Sequence, residues 1–328
     1  MTARTVNLRS SFGAIISVPY FVPAVVAVSF MIVLTSVQNA SFFGGGGWQL
    51  VIFYASPLMV LAMAQTPALM SGQGGLDLSV GPAAGLISVI ISGLLIPQGL
   101  VKSLPAIVVC ALALGMLNGC LNGMLIGFLR VPPIIATLAT YLIYGGLAIE
   151  FVPNAVGSLP DSMSWFSEQT AFIPNVGLVI IGLGFLWFVL MRSAYGRNLR
   201  AVGSNDRAAY TAGVRVVSTR FISYVLTGAG VGVGALLLMA VLGGADPTVG
   251  ASYTLQSIAA AVLGGVSLMG GRGGVLGAAA GGLLIFMIQN YLTYMAVSTF
   301  VLQMVFGLAL IFAIVVNGGW DYLRTRTR

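Results

Sequence analysis

The amino-acid sequence predicts an all-α integral membrane protein of about ten transmembrane helices, with both termini cytoplasmic. Three observations predict it. Charged residues are 6% of the chain and hydrophobic residues 58%, whereas roughly a quarter of a soluble domain is charged. No water-soluble core absorbs so much apolar surface under so little polar cover, but a bilayer solvates apolar side chains on the outside as well. Apolar segments close to the roughly 20 residues that cross a hydrocarbon core recur along the chain. The basic residues fall almost wholly on one side once those segments are made to alternate.

The elements follow in order. Arg4 and Arg9 precede an apolar run that continues to Leu34 with no clear small-residue cleavage site. This start reads as a cytoplasmic tail and a retained first span rather than a cleaved signal peptide. Spans are expected near 18–38, 49–70, 78–98, 104–127, 133–150, 173–192, 218–241, 255–269, 275–294 and 298–317. Pro57 and Pro67 in the second predict a kink or a break. The segment 255–269 is short and glycine-bounded, and reads either as a full crossing or as a tilted or re-entrant helix. An outer loop of about 151–172 holds Pro153, Pro160 and Trp165, and an inner loop of about 193–217 is the most charged part of the chain. Neither leaves room for a globular unit, so 1–328 is expected to be one transmembrane domain.

Charge fixes the orientation. With the N-terminus inside, the inner segments carry Arg4, Arg9, Arg130, Arg192, Arg197, Arg200, Arg207, Arg215, Arg220, Arg272, Arg324, Arg326 and Arg328, and the outer ones only Lys102. Glu150, Asp161, Glu168 and Asp246 fall outside. The net charge of +7 is therefore a topology signal, and no nucleic-acid partner follows from it.

What is missing narrows the chemistry. There is no histidine, which excludes histidine proton relays and histidine metal sites. Cys110 and Cys120, ten residues apart on one apolar stretch, stand roughly 15 Å apart along a helix, too far for a disulfide; no metal site is expected. No GxxxxGK[ST] loop is present, and Lys102, the single lysine, is placed outside. A Walker-type nucleotide site is absent, so any ATP and magnesium belong to a partner subunit and no cofactor is expected in this chain. Ion-coupled carriers place ionisable groups within their spans. Here Asp77 opens the third span and Glu150 closes the fifth, which argues against a proton- or sodium-coupled secondary carrier while leaving carbonyl-lined sodium sites open.

The remaining polar groups are neutral. Asn118 and Asn122 lie one turn apart, Thr137, Thr140 and Tyr141 share the fifth span, and Gln289 and Asn290 the ninth. They suit a path for a hydroxyl-rich solute; interhelical hydrogen bonding is the competing reading. Gly115, Gly119, Gly123 and Gly127 stack on one helix face, as do Gly273, Gly277 and Gly281, which predicts close backbone packing and a possible sliding seam. The stretch 74–85 echoes 273–282 as a short internal repeat. In the inner loop, Gly203 ends a first part, Ser204 or Asn205 can cap a helix, Arg207 to Ala212 form about two turns, and Gly213 can end them. Such a helix on the membrane face suits a soluble partner; a solvated loop whose arginines only set topology is the alternative.

Four stretches, GGLDLSVG (Gly74–Gly81), VPPIIATLATYLIYGG (Val131–Gly146), YGRNLRAVGSNDRAAYTAGV (Tyr195–Val214) and ADPTVGASYTLQSIAAAVLGGVSLMGGRGGVLG (Ala245–Gly277), together resemble the permease subunits of ribose-type ABC importers, the monosaccharide branch of the family that includes branched-chain amino acid permeases. The resemblance implies a non-enzymatic subunit in the bacterial inner membrane. It implies pairing with a second permease, identical or paralogous, docking of a cytoplasmic ABC ATPase, and delivery of cargo by a periplasmic sugar-binding protein. It places the coupling segment around Gly196, Arg197, Gly203, Asn205, Asp206, Arg207, Ala208, Ala209 and Gly213. Family members often carry acids between that asparagine and the Ala-Ala pair, so Arg207 points to a dedicated ATPase. Asp77, Ser79, Asn118, Asn122, Thr137, Thr140, Tyr141 and Asn290 become candidates for the translocation path or gate, with Asp77 capping a helix start, and Asp246 and Thr248 for the outer mouth. A monosaccharide is the expected cargo. A polyol, a nucleoside or a furanose signalling molecule is the alternative within the family, an ion-coupled carrier the alternative outside it, and nothing positive supports a structural or receptor protein.

Overall fold

The computed structural model describes residues 22–38, 41–44, 46–157, 159–170 and 172–298, with positions 300, 301, 304, 307, 308 and 311. Arg4, Arg9, much of the expected tenth span and the C-terminal arginines lie outside the described residues. Helices make the framework: α1 (Val22–Gln38), α2 (Ser41–Gly44), α3 (Gly47–Met70), α4 (Val80–Ser88), α5 (Leu104–Gly123), α6 (Pro133–Phe151), α7 (Asn175–Arg192), α8 (Ala194–Ser204), α9 (Asp206–Thr211), α10 (Val216–Leu242), α11 (Gly250–Leu263) and α12 (Val275–Tyr294). Two continue as π-helices, α4 through Val89–Leu95 and α5 through Met124–Phe128. Among the described residues, α3, α5 with its π end, α6, α7, α10 and α12 are long and apolar enough to cross a membrane. With 14 residues, α11 extends only about 21 Å, short of the roughly 30 Å core, and it is not among the helices long enough to cross. The expected outer loop holds a 3-10 turn (Asp161–Phe166) and a small hairpin of β1 (Gln169–Thr170) and β2 (Ile173–Pro174), the only paired strands of more than one residue among the described residues.

The centre of the bundle is α3, buried from Ala55 to Met70. The break expected at its prolines does not occur, and the helix runs through both. Pro57 has no N–H to offer the carbonyl of Phe53; the Ser56 hydroxyl donates to that carbonyl instead, at 2.7 Å. In a membrane helix such a side-chain donor keeps the backbone satisfied.

The glycine ridge on α5 faces α10. An added Cβ at Gly115 would stand 2.2 Å from the Gly228 carbonyl oxygen, and one at Gly119 2.3 Å from that of Tyr224. Gly123 meets Phe221 and Gly127 meets Val217, so the two helices run antiparallel with backbones touching. The second ridge holds only in part: a Cβ at Gly281 would stand 2.0 Å from the Ala260 carbonyl oxygen and Gly277 abuts Gly264, which packs α12 against α11, whereas Gly273 precedes α12 with a φ of +142° and is not on its face. Without a hydrophobic drive between helices in lipid, close backbone packing of this kind holds them together.

The contacts reveal an inverted repeat. α3 packs antiparallel on α10, with Gly230 against Ala64 and Gly234 against Leu61. α4 packs antiparallel on α11, with Gly81 against Gly250 and Thr254 against Leu78. α5 lies on α10 as α12 lies on α3, and α4 lies on α10 as α11 lies on α3. Exchanging α3–α4–α5 with α10–α11–α12 therefore preserves the packing while reversing the direction of the chain. The echo expected between 74–85 and 273–282 is thus misplaced: 273–282 opens α12, and the partner of 77–81 is 246–250. Asp77-X-Ser79-Val80-Gly81 and Asp246-X-Thr248-Val249-Gly250 stand at equivalent points.

Charge divides between the two ends of the bundle. Arg130, Arg192, Arg197, Arg200, Arg207, Arg215, Arg220 and Arg272 gather where the ends of α3, α5 and α7 meet α8, α9 and the start of α10. Lys102, Glu150, Asp161, Glu168 and Asp246 lie at the opposite end, where Val156 pairs with Ala245 as an isolated antiparallel bridge.

Candidate functional site

Between α3 and α4 the chain leaves helical conformation from Ser71 to Ser79 yet stays inside the bundle: Ser71, Gly72, Gly75, Asp77 and Ser79 are buried. Non-helical backbone at that depth must find its hydrogen bonds within the protein. Three successive carbonyls do so through three different helices. The Leu76 oxygen accepts from Thr137 Oγ1 of α6 at 3.4 Å, the Asp77 oxygen from Gln65 Nε2 of α3 at 2.8 Å, and the Leu78 oxygen from Thr254 Oγ1 of α11 at 3.2 Å.

The side chains form a second set of bonds. Asp77 Oδ1 accepts from the Ser79 backbone N–H at 2.9 Å and from Ser79 Oγ at 2.6 Å, closing an Asx turn just before α4. Asn122 Nδ2 donates to Ser79 Oγ at 2.9 Å and to Asn118 Oδ1 at 3.3 Å, and reaches the Asp77 carboxylate at 3.4 and 3.5 Å. Thr140 Oγ1 donates to Asn122 Oδ1 at 3.0 Å. Asp77, Ser79, Asn118, Asn122, Thr137 and Thr140 are thus one buried network. Tyr141 is half-buried and Asn290 exposed, and neither joins it. Sequence reasoning missed Gln65, Thr254 and Ser257, whose hydroxyl lies 3.5 Å from Gln65 Nε2. A lone glutamine within an apolar span was the available signal. Gln65 Oε1, Asn118 Nδ2 and the hydroxyls of Tyr224 and Thr227 are buried without a hydrogen-bond partner.

The twin turn makes the same bonds in the open. Asp246 Oδ1 accepts from Thr248 N at 2.8 Å and Thr248 Oγ1 at 2.7 Å. Asp246 is half-exposed and Thr248 exposed. The Thr248 hydroxyl and amide hold the Asp246 carboxyl below its ordinary range.

At the arginine-rich end the inner segment folds as two helices, α8 and α9, where the sequence suggested one. Leu199, Val202 and Gly203 are buried on α8, with Arg197 and Arg200 exposed; this spacing marks an amphipathic helix lying on the bundle. Asn205 caps α9 by accepting from Ala208 N at 3.1 Å, and Gly213, at φ +82°, follows it in the left-handed region. Tyr195 donates to or accepts from Ser223 at 2.9 Å, and burial pushes its phenol up to about 12. Of the expected coupling residues, Arg197, Asn205, Arg207, Ala208 and Gly213 are exposed, whereas Gly196, Gly203 and Ala209 are buried underneath. Gly203 wedges between two crossings: a Cβ there would stand 1.9 Å from the Met70 carbonyl oxygen and 2.3 Å from the Gly271 nitrogen. Asp206 turns inward to Gln73 and Arg220.

A helical bundle of membrane-crossing length, arranged as an inverted repeat with a buried polar connection between α3 and α4 at its arginine-rich end, is the framework of a multi-pass membrane protein. Residues 48–315 match the family described as branched-chain amino acid transport system / permease component, and the chain belongs to it. The chain is 30% identical over 300 residues to the autoinducer 2 import system permease protein LsrC of Escherichia coli O9:H4 (strain HS), covering 90% of this chain and 86% of that one. It is 30% identical over 314 residues to the fructose import permease protein FrcC of Rhizobium meliloti, covering 92% and 86%. No solved structure matches the chain. The protein is a permease subunit of an ABC importer in the bacterial inner membrane, and not itself an enzyme.

Proposed function

We propose that this permease moves a monosaccharide or a similar small hydroxylated solute into the cytoplasm by alternating access, driven by a partner ATPase that holds the ATP and magnesium. The observation that carries the reading is the network at the break between α3 and α4. It is built of amides, hydroxyls and backbone carbonyls around one carboxylate, and it leaves Asn118 Nδ2 and Gln65 Oε1 buried and unpartnered. Donors and acceptors of this kind match the hydroxyl groups of a sugar, and buried groups without partners favour a solute that supplies them. Relatives named for autoinducer 2 and for fructose support the cargo class. A furanose signalling molecule fits the same chemistry, as do a polyol or a nucleoside.

In this reading the arginine-rich end is cytoplasmic, as the positive-inside bias directs. About ten helices span the membrane, both termini are inside, and the whole chain is one transmembrane domain. Two permeases, identical or paralogous, pair in the bilayer. The exposed face of α8 and α9 receives the ATPase, with Arg207 selecting a dedicated one, and a periplasmic binding protein docks near Asp246 and Thr248. No nucleic acid takes part. The test is purification from native membranes in mild detergent with identification of what accompanies the chain, together with uptake of labelled fructose, ribose and autoinducer 2 by cells with and without the gene. A stoichiometric ATPase and gene-dependent uptake of one of these support the reading. A folded chain that emerges alone from several gentle detergents would refute it. Arg207→Glu should weaken ATPase association and coupled uptake; unchanged values for both would dispose of the dedicated-partner idea.

A further inference from the structure

Asp206 sits in the first turn of α9, where a coupling residue would be expected to face outward. Its carboxylate instead takes a hydrogen bond from Gln73 Nε2 and lies 3.7 Å from Arg220 NH2. Gln73 stands at the mouth of the 71–79 break, with a φ of +54°, four residues ahead of Asp77. Arg220 is buried in the first helical turns of α10, with its Nε and NH2 both buried and without a hydrogen-bond partner, so that its contact with Asp206 is an ion pair alone. One turn further along α10, Tyr224 is fully buried and within electrostatic reach of both Arg220 and Asp77. A buried guanidinium keeps its place only against a counter-charge, and Asp206 is the one acid paired with it among the described residues.

We propose that Asp206 is a coupling latch, joining the ATPase-facing helix α9 to the interrupted segment through Gln73 and to α10 through Arg220. The geometry separates two tasks on one short helix. Arg207, Ala208 and Tyr210 are exposed and available to a partner, while Asp206 grips the bundle beneath. Displacement of α9 is transmitted through the charge-assisted hydrogen bond from Gln73, which is more directional than apolar packing, and through the ion pair to Arg220. It reaches the backbone that positions Asp77 and, through Arg220, the helix that carries Tyr224. Asp206, Gln73 and Arg220 act as positioning residues: none of them belongs to the Asp77 network. The inference rests on the ATPase-driven reading given above and adds to it the route by which the ATPase moves the break.

The experiment uses the complex pulled from membranes by a tag on this chain, with Cys110 and Cys120 replaced by alanine and Leu78→Cys as a reporter in the break. The rate of maleimide labelling at position 78 is compared without nucleotide and after trapping with ATP and vanadate. The unaltered latch is expected to give two different rates. Asp206→Asn is expected to retain the ATPase and its hydrolysis but to label at the same rate in both conditions, and Gln73→Ala to do likewise, which covers the case of an Asp206 variant that fails to fold. Asp206→Glu should restore the difference, as a merely structural role would not require. A full nucleotide-dependent difference in both Asp206→Asn and Gln73→Ala would overturn the latch, as would loss of the ATPase from Asp206→Asn, which would make Asp206 a docking residue. Absence of any ATPase from the parent complex would instead bring down the ATP-driven reading and the latch with it.

Discussion

Gly203→Ala should destabilise the protein severely for a single methyl group. The new Cβ would stand 1.9 Å from the Met70 carbonyl oxygen, 2.3 Å from the Gly271 nitrogen and 2.8 Å from the Gly271 Cα. All three are backbone atoms, so no side chain can swing aside. Two of them are hydrogen-bonded to one another, Gly271 N–H donating to Met70 O at 3.0 Å, and the methyl would part them. Overpacking a filled site costs about 1–3 kcal/mol. Orphaning a buried backbone pair adds about 1–3 kcal/mol. The better helix propensity of alanine returns about 1 kcal/mol, which leaves a net loss of about 1–5 kcal/mol. The assay is equilibrium unfolding of the purified chain by sodium dodecyl sulfate in mixed micelles, followed by tryptophan fluorescence. Gly182→Ala is the control, since nothing lies within 4 Å of a Cβ there; inside α7 it should be more stable than the parent by about 1 kcal/mol. A Gly203→Ala protein as stable as the parent, or a Gly182→Ala protein equally weakened, would show that the three-way contact of α3, α8 and the α11–α12 turn is not the constraint described.

Three further outcomes are expected. Asp77→Ala removes the acceptor for both the Ser79 amide and the Ser79 hydroxyl and should cost about 1–3 kcal/mol for the buried donors it orphans, whereas Asp77→Asn keeps an acceptor oxygen and should unfold near the parent; the same unfolding titration decides, and a transport defect in Asp77→Asn without loss of stability would assign the charge to gating, whereas normal transport would remove that role. Thr140→Val leaves the Asn122 Oδ1 atom without the donor it now has at 3.0 Å and should cost about 1–3 kcal/mol, with Thr140→Ser close to the parent. The depressed titration of Asp246 contributes stability that is present above its ordinary value of 3.8 and lost as pH falls through its lower folded value. Thr248→Val should therefore show a smaller loss on acidification than the parent when unfolding is followed between about pH 5 and pH 3.

The spans were legible because lipid imposes length and hydropathy on them directly, and α3, α5, α6, α7, α10 and α12 lie where apolar runs of the right length put them. What a window of hydropathy does not carry is continuity of hydrogen bonding. Pro57 and Pro67 pointed to a kink or a break, yet the helix runs on through both, with Ser56 covering the Phe53 carbonyl, while the interruption at Ser71 to Ser79 falls between the expected spans 49–70 and 78–98 but stays buried in a way that hydropathy does not show. The π-helical ends of α4 and α5 had no sign at all. The α5 glycine ridge was readable because small residues every fourth position have one geometric use in a helix, whereas its partner surface on α10, with Gly228 and Gly232, becomes visible only once the two helices are laid together.

The site was half legible for a related reason. Asn118, Asn122, Thr137 and Thr140 stood out as polar groups in apolar helices, and the structure gathers them with Asp77 and Ser79. Tyr141 and Asn290 stood out equally and are left aside, because periodicity places a residue on a face without saying what that face meets. The twin Asp-X-Ser/Thr-Val-Gly turns can be aligned from the sequence, whereas the echo at 273–282 is short and rests on glycine and alanine content alone. The equivalence of the turns carries a physical consequence: they make the same bonds, yet one is sealed by Asn118, Asn122 and Thr140 and the other stands partly open. Local sequence fixes the turn, and the surrounding helices decide its access. The turn at 77–81 is buried and its counterpart at 246–250 partly exposed, and it is beside the buried one that α8 and α9, with Gly203 against Gly72 and Asp206 against Gln73, make their contact.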